Sequence, residues 1–253
     1  MLHKKKFGQH FLSDPNILCR IAAFARIQPG DTVLEIGPGR GALTRELAAA
    51  AKKVIAVEID ADLIPVLRQT MPDNVEIIEG DALEVPFPEG PFHLVGNLPY
   101  NVATPLFKRF IELRASILDV TVMIQKEVAD RIRAKPNDEA YGPLSVLMQY
   151  YAIPEKGFTV PPGAFTPKPK VDSAMIRLTW RPDVPYDKEF TDFVHHAFGS
   201  RRKKLINNML PLFQQSRGDL LAAIAESGIR EDARPENLSV EDFHRLYNRI
   251  RRN

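Results

Sequence analysis

The chain lacks most of the features that mark secreted, membrane-bound or metal-dependent proteins. It has one cysteine, Cys19, in 253 residues, so no intramolecular disulfide can form and a reducing cytoplasm is the expected compartment. Cys19 lies in a helical pattern from Asn16 to Ala25, where a buried structural thiol is expected rather than a nucleophile. No apolar run approaches the ~20 residues that cross a bilayer. The basic start Met1-Leu-His-Lys-Lys-Lys6 leads into no apolar h-region, so no signal peptide is expected either. The histidines at 3, 10, 93, 195, 196 and 244 show no ligand spacing with cysteines or acids, and no metal is expected. There is no Walker A loop, no G-x-S-x-G elbow, no internal repeat and no low-complexity tract. Excess charge of one sign is also missing: a formal +2 says little about partners.

What is present is ordinary in bulk. Hydrophobic residues make up 44% and charged residues 26%, as in a globular protein with a sizeable core. Basic residues gather at Lys4–Lys6, at Arg201-Arg-Lys-Lys204 and at Arg249-Ile-Arg-Arg252. Each cluster can be a nucleic-acid contact or simply a solvated face.

Strand-like and helical patterns alternate through the first two-thirds of the chain. Strands are expected at Thr32 to Ile36, Lys53 to Ile59, Val75 to Glu79, Phe92 to Gly96 and Val120 to Gln125. Helices are expected at Ala42 to Ala51, Asp62 to Thr70, Thr104 to Leu113, Glu127 to Ala134 and Pro143 to Ala152. Such alternation implies an α/β fold, a parallel sheet covered on both faces that binds ligands at the carboxyl ends of its strands. Four prolines in the nine residues 161–169 predict a stiff extended loop, and Ala174 to Trp180 then reads as a strand. After a linker at Arg181-Pro-Asp-Val-Pro185 only helices are expected: Lys188 to Phe198, Arg202 to Leu210, Leu220 to Glu226 and Val240 to Arg252. The predicted organisation is an α/β catalytic domain over 1–184 and a small all-α domain over 185–253.

Chemistry concentrates at the predicted strand ends. Gly37-Pro-Gly-Arg-Gly41 permits a sharp turn and brings backbone amides close to a ligand. Its G-x-G-x-G spacing is one residue shorter than the dinucleotide fingerprint, which argues against hydride transfer. Glu58 ends the next strand, where an acid typically accepts from ribose hydroxyls. Asp81 lies at the same rim and could accept from an adenine amine or cap a turn. Asn97-Leu98-Pro99-Tyr100 follows the fourth strand. An aromatic amine is a poor nucleophile because its lone pair is delocalised. The Asn97 side-chain oxygen and the Leu98 carbonyl are the acceptors expected to favour its pyramidal form and aim it at a methyl group. Tyr100 offers a stacking face, and Phe165 in the proline-rich loop is either the opposite face or a hydrophobic plug.

These residues bring a known family into view. The chain resembles the KsgA-type ribosomal RNA adenine N6-dimethyltransferases nearly end to end. The resemblance rests on Lys6-Phe-Gly-Gln-His-Phe-Leu12, Glu35-Ile-Gly-Pro-Gly-Arg-Gly41, Val57-Glu-Ile-Asp60, Gly80-Asp-Ala82, Gly96-Asn-Leu-Pro-Tyr100 and Phe165-Thr-Pro-Lys-Pro-Lys-Val-Asp-Ser173. It implies a Rossmann-like sheet and a cytoplasmic enzyme that uses S-adenosylmethionine and no metal. The implied substrate is 16S rRNA in the assembling 30S subunit, where two adjacent adenosines near the 3′ end are dimethylated. It implies that His10 and Leu12 border the methionine end of the donor, with Gly37 and Gly39 beneath it. Glu58 and Ile59 would hold the ribose side, Asp81 and Ala82 the adenine, and Asn97 and Tyr100 the target base. The family often has Asn where this chain has His10. Arg201, Arg202, Lys203 and Lys204 match a basic segment of the family's C-terminal domain that lies against rRNA. Nothing in the sequence suggests an obligate dimer, so a monomer is expected. Two alternatives share the core motifs: a resistance-type methyltransferase of large-subunit rRNA, and an assembly factor whose methylation is dispensable.

Overall fold

The computed structural model describes residues 9–99, 102–200, 202–212 and 216–251. The expectations for Lys4–Lys6, Tyr100, Arg201 and Arg252 lie outside the described residues. In chain order the elements are β1 (Phe11–Leu12), α1 (Pro15–Ala25), β2 (Thr32–Ile36), α2 (Ala42–Ala50), β3 (Lys53–Glu58), α3 (Ile64–Thr70), β4 (Val75–Glu79), β5 (Phe92–Asn97), α4 (Ala103–Glu112), β6 (Ile117–Gln125), α5 (Lys126–Arg133), α6 (Pro143–Tyr151), β7 (Ala152–Val160), β8 (Phe165–Thr166), β9 (Ser173–Trp180), α7 (Lys188–Ala197), α8 (Leu205–Met209), α9 (Arg217–Glu226) and α10 (Val240–Arg251).

One compact unit runs to Ala129 and resumes over Pro154–Trp180. Its seven strands are ordered β4-β3-β2-β5-β6-β9-β7. The first five are mutually parallel, and β9 runs antiparallel to β6, so the sheet is mixed rather than purely parallel as the alternation predicted. All of β2 and β3 beyond their first residues is buried, which requires cover on both faces. Leu18 and Ile21 of α1 and Leu43 and Leu47 of α2 share a core cluster with Val33, Val54 and Val95 of the sheet. Helix α1 starts where it does because the Asp14 carboxylate accepts from the amides of Asn16 (2.9 Å) and Ile17 (3.3 Å), and Pro15 is preset for the first turn. Its Cys19 is exposed rather than buried as expected, because it lies off the face of Leu18, Ile21 and Ala25, and its thiol sits 3.7 Å from the Glu46 carboxylate.

The chain order reverses between β2 and β5, so their carboxyl ends flank the crevice where such sheets take ligands. Gly96 is required there: a Cβ on it would lie 2.6 Å from the Ile36 carbonyl oxygen of β2. At the other end of β5, the His93 ring pairs with Asp119 (3.0 Å) and Asp31 (3.2 Å), and Arg177 pairs with Asp119 (2.6 Å).

Strand β7 has no counterpart among the predicted elements. Pro154 and Gly157 interrupt its pattern, and it is tolerated because it forms the edge of the sheet. The proline-rich segment is not wholly extended. It holds a 3₁₀ turn at Pro162–Ala164, then β8, which pairs antiparallel with β1 through Leu12↔Phe165 and Phe11↔Thr166.

The second unit comprises Asp130–Ile153 together with the chain from Arg181 onward. The break near Trp180 lies close to the predicted linker, but 130–153 groups with the C-terminal helices rather than with the 1–184 segment. The reason is a set of buried aromatic contacts. The Tyr141 hydroxyl donates to the Leu238 carbonyl (2.8 Å), and the Tyr151 hydroxyl donates to the Asp187 carbonyl (3.0 Å). Tyr150 packs on Phe190 with ring centres 4.2 Å apart.

Candidate functional site

A cavity of about 460 Å³ opens at the carboxyl ends of β2, β3 and β5, within the size range of small-molecule sites. Its floor is the turn after β2. Gly37, Gly39 and Gly41 have φ of 71°, 57° and 76°, a left-handed run that side chains resist. A Cβ on Gly39 would sit 3.0 Å from the Phe11 ring, so the bare backbone admits the N-terminal segment as cover. The Arg40 guanidinium lies 4.8 Å from the centre of the same ring.

Glu58, at the end of β3, is 3% exposed. Its Oε2 accepts from the Gly39 amide (3.0 Å) and its Oε1 from the Asp60 amide (2.9 Å). Burial raises its pKa, against the pull of those amides. Asp60 in turn accepts from the Gln9 side chain (3.1 Å), tying the N-terminal segment to the same rim. Ile59 keeps an apolar side chain in the wall at 43% exposure. Asp81 also lines the cavity; its Oδ1 accepts from the Leu83 amide (2.8 Å), which sets the turn carrying Ala82.

At the end of β5, the Asn97 side-chain Nδ2 donates to the His10 carbonyl (3.2 Å). This ties the Nδ2 end of the amide to the N-terminal segment and puts Oδ1 at the opposite end. Leu98 is anchored by donating its amide to the Met123 carbonyl (3.0 Å), and the Pro99 carbonyl accepts from Val102 at the start of α4 (3.2 Å). The His10 ring does not point solely at the donor space: its Nδ1 donates to the Pro167 carbonyl (2.7 Å).

The structure therefore brings His10, Leu12, Gly37, Gly39, Glu58 and Ile59 to one cavity, with Asp81, Ala82, Asn97, Leu98 and Pro99 on its other wall. Phe165 is not in that wall. Its ring is 2% exposed and packs in the core with Leu12, Leu18 and Ile21, because β8 pairs with β1 and turns the side chain inward. Of the two readings open for this residue, burial beside Leu12, Leu18 and Ile21, which themselves line the cavity, fits the plug.

Glu35 is a cavity residue that sequence reasoning passed over. It is 1% exposed, and among the described residues its Oε2 has no hydrogen-bond partner. Burial raises its pKa to about 8, with the Thr44 hydroxyl opposing and the charge of Glu58 adding. A lone carboxyl inside the apolar run Thr-Val-Leu-Glu-Ile was the available signal. Among the described residues no group of three or more His, Cys, Asp or Glu is placed to hold a metal ion. No helix of the described residues is long and apolar enough to cross a membrane.

In the second unit, Arg202, Lys203 and Lys204 are exposed, but they precede α8 rather than opening it as predicted. Lys204 has an extended backbone (ψ 150°) and stands as the cap of α8. The basic end of α10 is partly neutralised: Arg249 pairs with Glu226, and Arg251 lies 3.5 Å from Asp187 and 3.8 Å from Glu189.

The family model described as ribosomal RNA adenine dimethylase matches residues 1–252. The chain is 42% identical to the ribosomal RNA small subunit methyltransferase A of Clostridioides difficile, over 97% of this chain and 90% of that protein. Among solved structures, it resembles a dimethyladenosine transferase from Plasmodium falciparum with a TM-score of 0.85 and 28% identity, covering 96% of this chain and 98% of that one. It also resembles the 23S rRNA methyltransferase ErmE, with a TM-score of 0.73 and 30% identity, over 95% of this chain and 99% of that one.

Proposed function

The chain belongs to the ribosomal RNA adenine dimethylase family, and on that premise we propose that its cavity holds S-adenosylmethionine beside an extruded adenosine of small-subunit rRNA. The protein is an enzyme. It moves methyl groups to N6 of two adjacent adenosines near the 3′ end of 16S rRNA, leaving N6,N6-dimethyladenosine as the 30S subunit assembles. It works in the cytoplasm as a monomer.

The residues fit the donor. The left-handed glycine turn puts bare backbone of Gly37 and Gly39 at the cavity, and each Glu58 oxygen that accepts one amide retains a lone pair for a ribose hydroxyl. Asp81 and the Ala82 amide read the adenine edge, and Ile59 covers its face. His10 and Leu12 close over the methionine end. Bound there, S-adenosylmethionine supplies a sulfonium methyl that needs orientation more than acid or base.

The observation that carries the reading is the fixed orientation of Asn97. With Nδ2 held by the His10 carbonyl, Oδ1 accepts from the target amine, and the Leu98 carbonyl accepts its second hydrogen. Both acceptors draw N6 toward the pyramidal geometry in which its lone pair reaches the methyl carbon. Transfer of the sulfonium methyl to N6 would leave S-adenosylhomocysteine as the departing thioether, and the proton shed by N6 would pass to solvent. Arg201 to Lys204 contact rRNA phosphates and position the subunit. Identity over nearly the whole chain to a small-subunit enzyme favours that substrate over the large-subunit alternative.

The test uses purified protein, labelled S-adenosylmethionine and small subunits lacking the modification, with large subunits as control. Nucleoside mass spectrometry should find N6,N6-dimethyladenosine in the small subunits alone. Label on large-subunit adenosine, or on neither, would refute the assignment.

A further inference from the structure

Helix α4 begins beside the Asn97–Pro99 turn and carries Arg109 in its last turn. From there the guanidinium reaches back to the loop after β4. Nη1 donates to the Ala82 carbonyl (3.0 Å), and Nη2 donates to the Val85 carbonyl. Its Cζ lies 4.4 Å from the centre of the Phe87 ring, so the loop's continuation holds it as well. The loop is already a tight turn: the Asp81 carbonyl accepts from the amides of Glu84 (2.9 Å) and Val85 (2.9 Å). The Gly80 amide ties the start of that turn to the Glu58 carbonyl of β3 (2.9 Å), and Arg109 adds two bonds and a ring contact from α4 in one planar group.

We propose that Arg109 is a positioning residue for donor recognition: by clamping the Ala82 and Val85 carbonyls to α4, it holds Asp81 and the Ala82 amide in register with an adenine edge. Two donors in one rigid plane can fix two carbonyls at once, which a single ammonium cannot. The clamp also links the loop that reads the donor to the helix that starts at the catalytic turn, so a displaced loop disturbs both ends of the cavity. The inference rests on the assignment of Asp81 and Ala82 to the donor's adenine.

Titration calorimetry with S-adenosylhomocysteine and S-inosylhomocysteine tests it. The inosyl compound presents a carbonyl where adenine has its amine, and so faces the Asp81 carboxylate with like polarity. The unmodified protein should prefer the adenosyl compound by at least tenfold. Arg109→Ala should weaken the adenosyl compound by about tenfold and the inosyl compound far less, so that the preference collapses. Arg109→Lys, which keeps the charge and most of the stem, should fall between the two and covers the case in which the alanine variant does not fold. A preference as large in either variant as in the unmodified protein, which is what equal weakening of both compounds gives, would mean that Arg109 only stiffens the fold and would overturn the proposal. Absence of any preference in the unmodified protein would instead remove the adenine assignment of Asp81 and Ala82, and the clamp's role with it.

Discussion

In the proposed reaction Asn97 does two jobs, with its amide nitrogen on the His10 carbonyl and its oxygen accepting from the target amine. Asn97→Ala should lower turnover by roughly 10²–10³, the usual cost of losing one preorganised contact to the transition state. The Kd for S-adenosylmethionine should change little; single-turnover kinetics beside calorimetry separates the two. Phe165→Ala now reads as a core deletion. With the ring 2% exposed, the expected cost is about 3–5 kcal/mol of stability, visible as a lower denaturation midpoint before any selective loss of base binding. Glu35 gives a pH signature. Burial lifts its folded pKa to about 8, above the ordinary carboxylate value of 4.5, so the folded state holds the proton more tightly. Its contribution to stability is complete below about pH 4.5 and is lost as pH rises through 8. The paired His93, whose pKa is raised by Asp119, acts in the same direction. Tm of the ligand-free protein should therefore fall between pH 5 and pH 9, and Glu35→Gln should flatten that fall without abolishing it. Parallel curves for the two proteins would rule out a protonated Glu35.

At the scale of elements, the basic run before α8 is the sharpest case. On a helix, consecutive residues would point in different directions. With Lys204 in extended backbone ahead of the helix, Arg202, Lys203 and Lys204 can follow a phosphate path more closely. Neutralising all three should lower the slope of log K against log salt for small-subunit binding by up to about 0.7–0.9 per lost contact, with the donor Kd unmoved. The strands that position the cavity were legible because β2 to β5 are largely apolar runs with Gly, Asp or Asn at or within two residues of their ends, and the rim residues sit there. Edge strand β7 was hidden because Pro154 and Gly157 are tolerated only at a sheet margin, a fact of position that the pattern alone does not carry. Phe165 was ambiguous for a related reason: composition identifies a ring on a stiff loop, while the β1–β8 pairing decides which way it points. Glu35 was overlooked because a carboxyl within a buried strand gains its significance from the cavity beside it.

On the scale of the whole molecule, the second unit is assembled from two stretches separated in sequence by strands of the first. A fragment cut at residue 184 would keep α6 but lose Asp187, Phe190 and Leu238, the partners of Tyr151, Tyr150 and Tyr141. It should bind hydrophobic dye and melt without a cooperative transition, whereas a fragment that melts sharply would show that α6 is stable without them. The chain passes between units at 129/130, at 153/154 and at 180/181, and this bears on how the protein is born. Synthesis proceeds from the N-terminus at roughly 5–20 residues per second. Tyr150 and Tyr151 therefore emerge on the order of 5–20 s before α10, which supplies His244 and Tyr247 to the same aromatic cluster. For that interval a finished-looking helix has no finished core to join, although every residue of the first unit has been made once Trp180 is added.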